Sequence, residues 1–284
     1  MGCEMKKILV CGSAGFLMSN FIRYVLYRTK DYDFASIDRL DNLGDVKRIY
    51  RHKRHSFYVG DVCDTSFVQK VIELEKPDFV VNGIRTATDS RRAWVEGRVL
   101  VVASLEDACG RVPIIHIDQI DNEESSEHMC GLTNIMVSSN GGVVIDVPYC
   151  FGMRGRCNRG DLDWAIMNMI SSPGWVPCDD YEFIDFKRGW AYAEDVASFI
   201  WFVIENRIKN ELIYHMPIIG NLSTLTDLSV IAGNELGICS IKCKKLDTIP
   251  PDGFMKWLPD SISLEDAVRK TARWYGINRW ALGL

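Results

Sequence analysis

The chain has 284 residues, 47% of them apolar and 25% charged, with 33 basic against 38 acidic side chains and a net charge of −5. That is an ordinary globular composition, long enough for one large or two small domains around a substantial core, and its acidic balance argues against a general nucleic-acid binder. No apolar run reaches the roughly 18 residues of a membrane span.

At the N-terminus, Met1–Lys6 leads straight into an apolar run, so no secretion leader is expected and a cytoplasmic location is. Met1-Gly2-Cys3 has the start of an acylation signal, but Lys6 stands where that signal needs Ser or Thr. Ten cysteines (3, 11, 63, 109, 130, 150, 157, 178, 239 and 243) include no Cys-x-x-Cys, so reduced thiols rather than a zinc site are expected.

The first predicted strand, Ile8-Leu9-Val10, feeds the glycine turn Gly12-Ser13-Ala14-Gly15. A helical pattern follows from Phe16 through Leu26. Strand, glycine turn and helix together aim a helix N-terminus and open backbone N–H groups at a pyrophosphate. A second strand, Phe34 to Asp38, ends in an acidic residue 26 positions after Gly12. A carboxylate there accepts both hydroxyls of an adenosine ribose and repels a 2′-phosphate, which predicts NAD rather than NADP. Asp41-Asn42-Leu43 opens a loop on the same side, and Asn42 joins the cofactor candidates. The basic run Lys47 to His55 reads as a solvated helix face. A third strand, Ser56 to Val62, ends at Asp61, and the apolar Val62 after it is a candidate wall for the adenine.

A helix over 65–75 leads to a fourth strand, Asp78 to Asn82, and then to a long helix from about Arg92 to Cys109. The fifth strand is Val112 to Ile117 and the sixth Gly142 to Val147. Alternating strands and helices at this spacing predict an α/β fold with a Rossmann-type doubly wound parallel sheet. Beyond Pro148 come an Arg-rich loop, Arg154 to Gly160, and helices over 161–170, 196–206, 225–236 and 263–275. The expected organisation is a dinucleotide-binding domain over 1–150, with a returning segment at about 188–218. A smaller C-terminal α/β substrate lobe comprises 151–187 and 219–284.

These stretches resemble the extended short-chain dehydrogenase/reductase superfamily, and most of all its nucleotide-sugar 4,6-dehydratases and epimerases of the dTDP-glucose 4,6-dehydratase type. The resemblance runs over nearly the whole chain. It is carried by Gly12-x-x-Gly15 with Asp38, by Gly60-Asp61-Val62, by Lys187-Arg188-Gly-Trp190-Ala-Tyr192-Ala-Glu194-Asp195, and by the tail Ser263 to Tyr275. It implies bound NAD, with Gly12, Gly15, Phe16, Asp38, Asn42, Asp61 and Val62 on the cofactor. It also implies a nucleotide-sugar substrate gripped at its diphosphate, for which Arg188 and then Arg154 are the candidates. In such enzymes a tyrosinate takes the O4 proton while NAD takes the C4 hydride, and a lysine four residues on lowers the tyrosine pKa.

No Tyr-x-x-x-Lys occurs anywhere in this chain. In the segment Ser125 to Thr133, His128 falls at the tyrosine position and Leu132 at the lysine position. The Thr-Asp-Glu set expected after the fifth strand is replaced by His116-Ile-Asp118-Gln-Ile-Asp121, with both acids out of register. Met18 takes the place of a third glycine, which predicts a degraded cofactor turn. The helix after His128 is short, since Gly141-Gly142 arrives 13 residues later. In the resemblance that helix belongs to a homodimer interface, so an altered dimer is expected.

Each candidate has a plain counterpart. His128 also reads as a surface histidine at a helix start, Asp118 and Asp121 as loop-lining or capping acids, and Arg188 as the partner of Glu194, Asp195 or Asp185. Tyr192, Trp190, Trp257, Trp274 and Trp280 read as packing. Losing a catalytic acid–base costs about 10²–10⁴ in rate, and here its tuning partner is gone as well. The residues therefore favour a non-catalytic or very weakly active nucleotide-binding relative, a pseudoenzyme with a regulatory or assembly role. The alternative is an active enzyme with a divergent site around His128 and Asp118 or Asp121. No metal, nucleic acid or membrane partner is expected.

Overall fold

The computed structural model describes residues 5–41, 45–85, 91–119, 137–138, 141–155, 162–172, 187, 189–206, 213–216, 222–238 and 261–282. The candidates Asn42, Asp121, His128 and Arg188, together with Leu132 and Trp257, lie outside them. The chain divides into two units, Met1–Val147 with Ala197–Met216, and Pro148–Val196 with Pro217–Leu284.

The first unit is built on a parallel sheet. Strands β1 (Lys6–Cys11), β2 (Tyr32–Asp38), β3 (His55–Val59), β4 (Phe79–Asn82), β5 (Ile114–Gln119), β6 (Val143–Val147) and β9 (Ile213–His215) pair in the order β3-β2-β1-β4-β5-β6-β9. Every pairing is parallel. Ile8, Leu9, Val10 and Cys11 are all fully buried, the continuous apolar run of a strand covered on both faces. Helices α1 (Phe16–Arg28), α2 (Thr65–Glu75) and α3 (Arg91–Cys109) join the early strands. One core cluster runs from Leu9, Ala35, Ile37 and Val80 to Val68 and Val71 of α2 and Val101 and Leu105 of α3. The order of strands reverses between β1 and β4, and ligands of such sheets bind at the carboxyl ends flanking that reversal. This is the Rossmann-like doubly wound α/β sheet that the alternation predicted.

Asp64 shows why α2 starts where it does: its carboxylate accepts the Phe67 N–H, and Lys76 ends the helix in the left-handed region. The expected third strand shifts, because pairing with β2 ends at Val59 opposite Asp38 and leaves Asp61 in the loop beyond. The fifth strand shifts the other way. It ends at Gln119, so Asp118 stands in a strand and does not line a loop.

The basic run also differs from expectation. Only Val46–Arg48 forms a short 3₁₀ turn, and the rest is no helix face. Arg54 reaches back to the carbonyls of Leu26 and Tyr32, both at 2.8 Å, so one cation satisfies an orphan carbonyl at the end of α1. His55 enters β3 and bonds the Ser36 hydroxyl at 2.7 Å.

In the second unit, β7 (Tyr149–Phe151) and β8 (Trp190–Tyr192) form a short parallel pair. Around them stand α4 (Leu162–Ser171), α6 (Leu225–Glu235) and α7 (Leu264–Ile277), while α5 (Ala193–Asn206) follows β8 and belongs from Ala197 onward to the first unit. Thr224 and Asp227 form a capping box at α6, and Ser263 caps α7. Trp190 and Tyr192 are buried core aromatics, and the Trp190 indole donates to the Ser223 carbonyl at 2.8 Å. Trp274 packs edge-on to Tyr275 and Trp280, but Trp280 is half exposed rather than interior. No described helix is long and apolar enough to cross a membrane.

Candidate functional site

The glycine turn closes between β1 and α1. Gly12 takes φ +79, a left-handed value that favours glycine, and its N–H donates to the Ile37 carbonyl at 2.9 Å. Gly15 is the N-cap of α1 and offers no side chain to the first helical turn, which carries no acidic residue either. Its leading backbone N–H groups have no intrahelical acceptor by geometry, and their partial positive charge suits a phosphate. Phe16, the first helical residue, is buried beneath them.

Asp38 ties this turn to the end of β2. One carboxylate oxygen accepts the Ala14 N–H at 2.8 Å and the other the Leu40 N–H at 2.9 Å. Asp38 is only 8% exposed, and each oxygen keeps a lone pair for a further donor. Val62 is buried in the core cluster beside Ile37, while Asp61 is half exposed and pairs with Arg39 at 3.1 Å. The tertiary structure therefore gathers Gly12, Gly15, Phe16, Asp38, Asp61 and Val62 around the carboxyl ends of β1, β2 and β3.

Met18, where a third glycine was expected, packs into the core of the first unit. That side chain is 1% exposed, and it lies where a Cβ on Gly83 would come within 2.3 Å of its Cγ. The space that the Met18 side chain takes is left open by a glycine just after β4.

A second polar group lies at the ends of β4 and β5. The Asn82 amide meets His116 Nδ1 at 3.0 Å, and Arg98 of α3 forms an ion pair with Asp118. Asn82, His116 and Asp118 are all buried. Burial pushes the His116 pKa down to about 4 and Arg98 adds to the shift, while Asp118 opposes it. Burial thus favours the neutral imidazole, and the Asp118 carboxylate is bound to a guanidinium in the same buried polar group.

In the second unit, Arg154 has φ +67, and its guanidinium lies 5.3 Å from the centre of the Trp274 ring. Asp195 is buried there, and its carboxyl is pushed up to about 7 by burial and by Glu194, against the pull of Lys270. Sequence reasoning missed Arg39, Arg98, His116 and the Met18–Gly83 contact. Arg39 had one available signal, its place directly after Asp38. The others depend on pairings between distant segments.

Residues 8–112 match the family described as the NAD dependent epimerase/dehydratase family. The chain is 33% identical over 84 residues to the dTDP-D-glucose 4,6-dehydratase of Mus musculus, a match covering 28% of this chain and 24% of that protein. It is 32% identical over 81 residues to the dTDP-glucose 4,6-dehydratase of Haemophilus influenzae, again covering 28% and 24%. These matches therefore span about a quarter of the relatives' length.

Over the whole chain the likeness is one of fold. The structure of dTDP-glucose 4,6-dehydratase from Bacillus anthracis in complex with NAD superposes with a TM-score of 0.77 at 17% identity, covering 97% of this chain and 98% of that one. UDP-glucose 4-epimerase from Thermotoga maritima with UDP-glucose gives 0.70 at 16% identity, covering 95% and 98%. With its glycine turn, its acidic β2 end and, among the described residues, its seven-stranded parallel sheet, the chain shares the fold of these dehydratase and epimerase structures, and its residues 8–112 match the NAD dependent epimerase/dehydratase family.

Proposed function

We propose that this chain binds NAD in its first unit but turns over nucleotide-sugars weakly or not at all, serving a regulatory or assembly role. The residues fit the cofactor. Gly12 and Gly15 leave the α1 N-terminus open for the pyrophosphate, Asp38 is the proposed partner of the ribose hydroxyls, Asp61 and Val62 are the proposed border of the adenine, and Asn42 is a further proposed cofactor contact. NAD bound there supplies a hydride acceptor at its nicotinamide. Arg188 and Arg154 are the proposed contacts for the diphosphate of a nucleotide-sugar. A homodimer altered by the short segment after His128, in the cytoplasm, belongs to the same proposal.

The observation that carries the non-catalytic reading is the missing proton-transfer pair. Nowhere does a tyrosine precede a lysine by four, and leucine at 132 offers neither charge nor hydrogen bond. Asp118 supports the same reading, since it is buried and its carboxylate is engaged by Arg98.

Calorimetric and thermal-shift titrations with NAD, NADP, UDP-glucose and dTDP-glucose test this. NAD at a hundredfold excess over Kd should stabilise the fold by about 2.7 kcal/mol. Silence at millimolar NAD ends the cofactor reading. Formation of a 4-keto-sugar that disappears in His128→Ala ends the pseudoenzyme reading and restores a divergent site around His128 and Asp121.

A further inference from the structure

Arg39 follows Asp38 directly, at the carboxyl end of β2, and its side chain is half exposed. All three of its nitrogens are engaged. Nε donates to Asp41 Oδ2 at 3.0 Å, Nη2 bonds the same carboxylate, and Nη1 donates to Asp61 Oδ2 at 3.1 Å. The turn that makes this possible is strained. Leu40 takes φ +56, a region disfavoured for a residue with a Cβ, and is held there by its N–H bond to Asp38. Half-exposed ion pairs contribute little to stability, so folding alone does not account for a strained turn that builds such a clamp.

Its position gives another reason. At the end of β2 an acidic residue meets the ribose 2′-hydroxyl of NAD, whereas a free arginine accommodates the 2′-phosphate of NADP. This chain has both residues side by side, and the arginine is occupied. We propose that Asp41 and Asp61 hold Arg39 away from the adenosine ribose, so that Asp38, Asp41 and Asp61 present an excess of negative charge and exclude 2′-phosphorylated dinucleotides. Arg39 and Asp41 are then specificity-determining residues, with Arg39 a 2′-phosphate ligand kept out of use. The inference rests on the proposed dinucleotide site.

Calorimetric titration of the full chain with NAD, NADP, 5′-AMP and adenosine 2′,5′-bisphosphate tests it. The wild type should bind the member of each pair that lacks the 2′-phosphate more tightly. In Asp41→Asn, removal of one nearby charge and release of Arg39 should tighten NADP and the bisphosphate about tenfold, with NAD little changed. Arg39→Gln in that background should abolish the gain. Asp41→Ser serves as a second route to the same release if Asp41→Asn lowers the melting temperature. Unchanged affinity for both 2′-phosphorylated probes, with NAD or AMP still bound, overturns the inference and leaves the nucleotide reading standing. A wild type that binds none of the four overturns both.

Discussion

Met18 of α1 and Gly83 after β4 share one space: a Cβ at position 83 would lie 2.5 Å from the Met18 sulfur and closer still to Cγ. The bulky residue on the helix is tolerated only because the strand side has no side chain. Gly83→Ala should therefore destabilise the fold by about 1–3 kcal/mol, the range for overpacking a close-packed core. Met18→Ala in the same molecule should recover part of that loss. Denaturant titration of the two single variants and the double closes a cycle, and additive losses would show that the two positions are not coupled.

Arg98 and Asp118 form a buried ion pair between α3 and β5. Removing one partner leaves an uncompensated charge in the core. Asp118→Asn and Arg98→Met should each cost about 3–5 kcal/mol, while the apolar pair Arg98→Met with Asp118→Leu should cost much less. If Asp118→Asn instead leaves stability intact and abolishes a measured turnover, the carboxylate is catalytic.

His116 makes stability depend on acid. Its folded pKa is lowered to about 4 from an ordinary 6.5, first by burial and then by Arg98. The unfolded chain therefore takes up the proton first. Stability is intact above about pH 6.5 and falls as the pH drops toward 4, by on the order of 3 kcal/mol. Urea midpoints between pH 7 and 4.5 should show this slope, and His116→Gln should flatten it.

Asp195 has the opposite sign. Burial, then Glu194, raises its carboxyl to about 7, so the folded state holds a proton that the unfolded chain has lost. Its burden is greatest above pH 7 and disappears as the pH falls toward 4. Asp195→Asn should raise stability at pH 8 by on the order of 2–4 kcal/mol and change little at pH 4. A melting-temperature gain of equal size at both values would remove titration as its cause.

Much of the first unit was legible in the residues. The run Ile8 to Cys11, the turn from Gly12 to Gly15 and the acid at 38 specify strand, turn and ribose-side carboxylate through local geometry and spacing alone. The absence of Tyr-x-x-x-Lys is likewise a property of the chain read in one dimension. The short boundary shifts at β3 and β5 were not legible, because strand ends are set by the pairing partner. Nor was the destination of Arg54, which spends its charge on the carbonyls of α1 and β2.

Tertiary structure alone decided the rest. Met18 finds Gly83, Arg98 finds Asp118, and Arg39 is caught between Asp41 and Asp61 only once the parallel sheet brings β2, β3, β4 and β5 side by side. The pKa values of His116 and Asp195 follow from the same cause. Burial and long-range charges set them, and neither exists until the chain has folded.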